Sequence, residues 1–321
     1  MQFRRAARNG ALATRDVVRR TRMHVWRVRR SRGYSGGLPA EFKSLVDDLV
    51  TNGMATRDEF VSADVIDSIR HDLIRELESG RRLVPVSNDT VREQGSRSPA
   101  KSFLEADVLT RGPEAYRDLT NYVAVEQPFL RSKAALQLAL DERLLSIASA
   151  YLDGPAAIGG SNLRRSFTNA LTEFDTLWFH SDPNSPRILK VFFYLTDVDE
   201  NSGPFCHVRG SHRKKFGGWR VSYRLTDDDI LRHYSSEDIK LALGRPGSIV
   251  FADTTGFHRG TKCRTRDRDM LTINYVLEPE FGGKAETPLI PDDFNFGVLS
   301  AAQRRALDFT ARPNDSVRST K

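Results

Sequence analysis

From residue 153 to residue 281 the chain is cut into short apolar and β-branched runs, each closed by a turn signal. Runs at 156–158, 162–168, 176–179, 188–195, 205–208, 248–251 and 270–277 have the length and composition of strands. Asn-Ser-Pro at 184–186, Asn-Ser-Gly-Pro at 201–204 and Arg-Pro-Gly at 245–247 punctuate them. Many short strands so divided predict a sandwich or barrel, and the jelly-roll, which encloses a cavity between two sheets, is the natural choice.

Ahead of this region the period changes. Phe42, Leu45, Val46 and Leu49, then Val65, Ile66, Ile69, Leu73, Ile74 and Leu77, recur at helical spacing. They predict helices over 38–53 and 62–80, with Gly53 and Gly80 as stops and Ser62 with Asp64 at the second start. A third helical region spans 131–152, where Leu136, Leu138, Leu140, Leu144 and Leu145 are too dense for a one-sided surface helix. The polar, turn-rich stretch 81–113 reads as a long loop or lid. The fold class is therefore α+β, with a mainly β core buttressed by N-terminal helices.

Residues 38–299 read as a single domain: helical buttress and loop over 38–152, jelly-roll core over 153–281, covering segment over 282–299. An insert at 226–243 has a helical pattern in Ile230, Leu231, Ile239 and Leu241. A short helix and basic tail follow at 300–321.

The formal net charge of +7 is concentrated at one end. Residues 1–33 hold eleven Arg against Asp16, so the rest of the chain is slightly acidic. The segment 1–37 reads as a disordered basic extension, with polyanion or membrane-surface contact through 1–33 as a further reading. In a eukaryote its Arg-rich, acid-poor composition would also suit a mitochondrial transit peptide. It has no uninterrupted apolar core of the secretory kind, and no run in the chain reaches membrane-spanning length. Cys206 and Cys263 are the only cysteines, which disfavours a disulfide framework and suits a reducing, cytoplasmic setting.

The chemistry centres on Leu-Trp-Phe-His-Ser-Asp, ending at Asp182. Residues two apart on a strand share a face, so His180 and Asp182 project together while Ser181 faces away. His258 follows the hydrophobic run at 247–253 in a Gly-bounded turn. Two imidazoles and one carboxylate on one triangular face, with open positions opposite, suit non-haem Fe(II). Ten residues beyond His258, Arg268 opens the last core run. A buried guanidinium there needs an anion, because it cannot deprotonate. Alternation places Arg268, Met270, Thr272 and Asn274 on one face. Arg264 and Arg266 are rivals for the anion-binding role. Lys190 shares a face with Phe192 and Tyr194, and either meets an anionic group or extends to the sheet edge. One of Arg164 and Arg165 should point inward. Trp178 is expected in the core, and His207 and His212 at turns or the surface.

His180-x-Asp182, His258 and Arg268 are accompanied by Tyr-Leu-Thr-Asp-Val at 194–198, Ser-Gly-Pro at 202–204 and Arg-Gly-Ser-His at 209–212. The set resembles the phytanoyl-CoA dioxygenase-like family of Fe(II)/2-oxoglutarate oxygenases. It covers residues 155–280 well and the helical part before them loosely; residues 1–37 lie outside it. The resemblance implies the double-stranded β-helix, a cupin-like jelly-roll. It further implies His180, Asp182 and His258 as ligands of Fe(II), with 2-oxoglutarate and O2 in the open positions. Arg268 would then meet the distal carboxylate of 2-oxoglutarate, Tyr194 would line the cosubstrate and Thr261 would offer it a hydroxyl. The implied reaction is hydroxylation of a small-molecule or carrier-bound substrate with release of succinate and CO2. A carboxylate at 182, rather than the Gly or Ala of related halogenases, disfavours halogenation. Two other readings are a nucleic-acid-directed oxygenase anchored by the Arg-rich tail and a non-catalytic jelly-roll binding module.

Overall fold

The protein is represented by a computed structural model that describes residues 37–79, 83–87, 117, 120–125, 127–171, 173, 175–182, 187–216, 224–277 and 287–313. The basic tail, most of the loop expected over 81–113, and Gly80 lie outside the described residues.

In chain order the elements are α1 (Lys43–Asn52), β1 (Met54–Arg57), α2 (Ala63–Ser79), β2 (Leu83–Ser87), β3 (Thr120–Val125), α3 (Pro128–Arg131), α4 (Lys133–Ala139), α5 (Glu142–Leu152), β4 (Ala157–Ser166), β5 (Leu189–Tyr194), β6 (Phe205–Val208), α6 (Asp227–Leu231), β7 (Ile239–Ala242), β8 (Ile249–Asp253), β9 (His258–Gly260), β10 (Arg268–Val276) and α7 (Ala301–Ala306). The strands form two antiparallel sheets. The larger runs β1-β8-β5-β10-β4-β3-β2 and the smaller β7-β6-β9. Isolated bridges extend the smaller sheet past β9, through His180 opposite His258 and Phe179 opposite Leu225.

Strand alternation divides each central strand between two environments. Val191 and Phe193 of β5, with Leu271, Ile273 and Tyr275 of β10, join the helices in the main core. Leu45 and Leu49 of α1, Ile66, Ile69 and Leu73 of α2, and Leu144 and Ile147 of α5 meet them there. Each fully buried Leu or Ile contributes about 1.5–3 kcal/mol, so this layer is the main stabilising mass of the fold. Phe192, Tyr194, Val250, Ala252 and Met270 face the other way and meet Phe205 of the smaller sheet. Asp269 points toward the helices, where Arg165 grips it bidentately at 2.7 Å and Arg70 of α2 reaches it at 3.3 Å. These contacts tie the helical layer to the strand that carries Arg268 on its opposite face.

Helix ends follow their local chemistry. Gly53, at φ +82°, closes α1 in the left-handed conformation. Ser132 and Asp141 accept backbone N–H groups at the starts of α4 and α5, and Thr226 and Ser300 make full capping boxes for α6 and α7. Ala306 of α7 is buried in the main core.

Several expectations need correction. The runs at 156–158 and 162–168 are one continuous strand, β4, because Gly159 and Gly160 lie within the β10 ladder beside its register shift. The helical region expected over 131–152 is helical, divided into α4 and α5 with α3 just before them and breaks at Ser132 and Leu140. Residues 176–179 are not a strand: Asp175–Leu177 is a 3-10 turn, and only Phe179 and His180 make sheet bridges. The insert keeps a short helix, α6, but Ile239 and Leu241 belong to β7, where pairing with β6 overrides the helical spacing. Trp178 is only partly buried, its indole N–H given to the Glu173 carbonyl. His207 is buried in β6, opposite His258.

Candidate metal centre

The two imidazoles are brought together by the backbone. His180 and His258 exchange N–H···O=C bonds, both 2.9 Å, so their side chains stand on one face with ring centroids 4.2 Å apart. Asp182 N–H donates to the Thr254 carbonyl at 2.8 Å, which draws the carboxylate to the same end of the barrel. Ser181 faces away and accepts a hydrogen bond from Lys215. The face expected from strand alternation thus forms, though a bridge and a loop build it rather than a full strand. One ligand atom from each of His180, Asp182 and His258 lies within 4.8 Å of the others. Among the described residues no other group of three metal-ligating side chains converges in this way.

The donor chemistry fits a divalent ion. His180 Nδ1 lies 2.9 Å from the Trp178 carbonyl, and His258 Nδ1 lies 3.0 Å from the Gly256 carbonyl. Each carbonyl fixes the proton on Nδ1 and leaves the Nε2 lone pair for a metal. Burial, helped by the neighbouring His180, holds the His258 imidazole well below its usual proton affinity despite the Asp182 charge. Burial alone would raise the Asp182 carboxyl. The Lys190 ammonium outweighs it, with help from both imidazoles, and holds the group well below the ordinary carboxylate range. The site therefore offers two Nε2 donors and one ionised oxygen.

Beside these side chains lies a cavity of about 240 Å³. That is below the roughly 300 Å³ lower end for drug-sized ligand sites and suits a small cosubstrate. β5 contributes Lys190 and Phe192; β10 contributes Arg268, Met270, Thr272 and Asn274; β4 contributes Asn162 and Arg164. Arg268 is 1% exposed. Its Nη2 donates to Ser166 Oγ at 3.2 Å, and its Nε has no hydrogen-bond partner among the described residues. The rivals Arg264 and Arg266 are exposed, Arg266 paired with Asp199. Arg164 turns inward and stacks on Tyr122, whereas Arg165 turns outward to Asp269. Space at Gly260 brings both inward guanidiniums close. A Cβ added there would lie 3.7 Å from Arg164 Nη2 and 3.9 Å from Arg268 Nη2.

Two of the sequence candidates lie apart from the cavity lining. Tyr194 donates its hydroxyl to the Ala242 carbonyl and accepts the Phe205 N–H, tying the two sheets together. Thr261 donates its hydroxyl to the Pro204 carbonyl. Lys190 meets an anion, but that anion is Asp182 itself, 2.7 Å from Nζ. This pairing went unread in the sequence, which signals an inward Lys without naming its partner.

A double-stranded β-helix with two imidazoles and a carboxylate at its cavity defines the non-haem iron oxygenases that use 2-oxoglutarate. The chain belongs to one branch of that class: residues 49–270 match the phytanoyl-CoA dioxygenase (PhyH) family. Among solved structures, the chain is similar to the epimerase SnoN from nogalamycin biosynthesis in complex with Fe3+, alpha ketoglutarate and nogalamycin RO (TM-score 0.54, 15% identity, covering 74% of this chain and 84% of that one). The non-haem alpha ketoglutarate dependent carbocyclase SnoK matches with TM-score 0.51 and 16% identity, over 73% of this chain and 83% of its own. EctD from S. alaskensis with 2-oxoglutarate and 5-hydroxyectoine matches with TM-score 0.51 and 17% identity, over 75% and 77%. At these identities the likeness is one of fold. No curated protein matches the sequence significantly.

Proposed function

We propose that the protein hydroxylates a small-molecule or carrier-bound substrate at the cavity flanked by His180, Asp182 and His258. The observation that carries this reading is the three-ligand face set beside a cavity lined by buried Arg268, which has no carboxylate at ion-pair distance among the described residues. Iron(II) held there would supply hydroxylation with O2 as the oxidant and 2-oxoglutarate as the cosubstrate, one oxygen atom going to the substrate and the other to succinate as CO2 is lost.

The chain's own residues do the rest. His180 and His258 present Nε2, each ring held by a backbone carbonyl at Nδ1. Asp182 adds the anionic ligand and fills the position that a halogenating site would leave open. Arg268 binds the distal carboxylate of the cosubstrate, its fork giving direction as well as charge. Phe192, Phe205 and Met270 make the apolar wall that excludes water, while Asn162, Thr272 and Asn274 offer polar contacts that orient what binds. Similar folds carry an epimerase and a carbocyclase as well. The hydroxylation assignment rests on the intact carboxylate ligand and on the family.

The test is succinate release that requires both Fe(II) and 2-oxoglutarate, followed by a screen of candidate substrates for stimulated turnover. Substituting His180→Ala or Asp182→Ala should abolish release. Release at the wild-type rate in either variant would overturn the assignment.

A further inference from the structure

Lys190 lines the cavity beside His180 and His258. Its Nζ lies 2.7 Å from Asp182 Oδ2, and that same oxygen stands 3.8 Å from His258 Nε2. A divalent ion shared by this oxygen and the imidazoles would sit about 2 Å from Oδ2. An ammonium left where it stands would then be within roughly 5 Å of the ion, where like charges partly shielded from water repel strongly. The ammonium also has an alternative partner. Lys190 lies directly opposite Asn274 across the sheet, and the buried Oδ1 of Asn274 has no hydrogen-bond partner among the described residues. Asn274 lines the same cavity. A dicarboxylate bound to the metal reverses the balance, because it brings negative charge into the space that the ammonium borders.

On the functional reading above, we propose that Lys190 makes metal retention conditional on the cosubstrate. Its ammonium holds the Asp182 carboxylate before loading and opposes a divalent ion that arrives alone. Once the cosubstrate is present, the ammonium pairs with the carboxylate that Arg268 does not hold. Lys190 is thus a positioning residue that couples two ligands of one site. By reciprocity, whatever the cosubstrate adds to metal affinity, the metal adds to cosubstrate affinity.

The test titrates Mn(II), followed by the electron paramagnetic resonance of the free ion, into wild type, Lys190→Met and Lys190→Gln, with and without saturating 2-oxoglutarate. Thermal melts establish that each variant is folded, and the second variant keeps a polar tip if the first packs poorly. The expected result is that both variants bind Mn(II) alone about tenfold more tightly than wild type, and that the tightening caused by 2-oxoglutarate shrinks by a similar factor. Equal or weaker binding of Mn(II) alone, or an unchanged 2-oxoglutarate increment, would overturn the coupling while leaving the metal site intact. A wild type that takes up no Mn(II) under either condition, or no more than His258→Ala does, would overturn the site and the coupling together.

Discussion

Replacing Arg268 with Met should have opposite effects on the empty protein and on cosubstrate binding. Arg268 is 1% exposed, makes a long hydrogen bond to Ser166 Oγ, and has no carboxylate at ion-pair distance among the described residues. On the proposed function this desolvated cation finds its partner in the cosubstrate. Methionine keeps the length and removes the charge, so the cosubstrate-free protein should hold its stability or gain on the order of 1 kcal/mol. The bound state loses a charge-assisted fork. Two hydrogen bonds at about 1.5–3 kcal/mol each come to about 3–6 kcal/mol, a hundredfold or greater weakening at about 1.4 kcal/mol per decade. Urea unfolding without cosubstrate, and calorimetric titration of 2-oxoglutarate into metal-loaded protein, read the two effects separately. Arg268→Lys, with charge but no fork, should fall between. A variant destabilised by more than about 2 kcal/mol, or one binding 2-oxoglutarate within threefold of wild type, would refute the reasoning, because Arg268 would then be a structural residue.

Asp269→Asn should lower unfolding free energy by about 1–3 kcal/mol in urea melts, since it keeps one acceptor oxygen but removes the buried charge that Arg165 and Arg70 share. Burial pushes the His207 imidazole down to about 3, against about 6.5 in the unfolded chain. Its contribution is therefore complete above pH 6.5 and is lost as pH falls toward 3, at about 1.4 kcal/mol per unit. His207→Gln should remove about 2 kcal/mol of the difference in unfolding free energy between pH 6.5 and 5, and identical pH slopes would count against this. Gly53→Ala forces a Cβ to 2.5 Å from His212 Nδ1 at a backbone of φ +82°. It should cost about 1–3 kcal/mol, visible as a lowered midpoint in a thermal or urea melt.

The metal face was legible because its signals are chemical and dense. His180 and Asp182 stand two apart, His258 sits in a Gly-bounded turn, and β10 alternates cleanly enough to put Arg268, Met270, Thr272 and Asn274 on one wall. The helical layer was legible for the same reason, its apolar period being long enough to average out local exceptions. The short peripheral strands were not. β1, β3 and β7 are four to six residues each, and pairing with β8, β4 and β6 decides their conformation. Residues 176–179 read as strand by composition, yet Asp175–Leu177 coils into a 3-10 turn, so the ligand pair owes its placement to backbone bonds with His258 and Thr254. Lys190 shows the remaining gap. Alternation gives its direction, but its distance from Asp182 depends on how two sheets close over each other.

The reciprocal backbone bonds between His180 and His258, with each ring's Nδ1 tethered to a carbonyl, also bear on handling of the protein. The candidate imidazole ligands are held in place by the scaffold itself. Chelation should therefore strip the enzyme without unfolding it, and dialysis against fresh metal should restore it without a renaturation step.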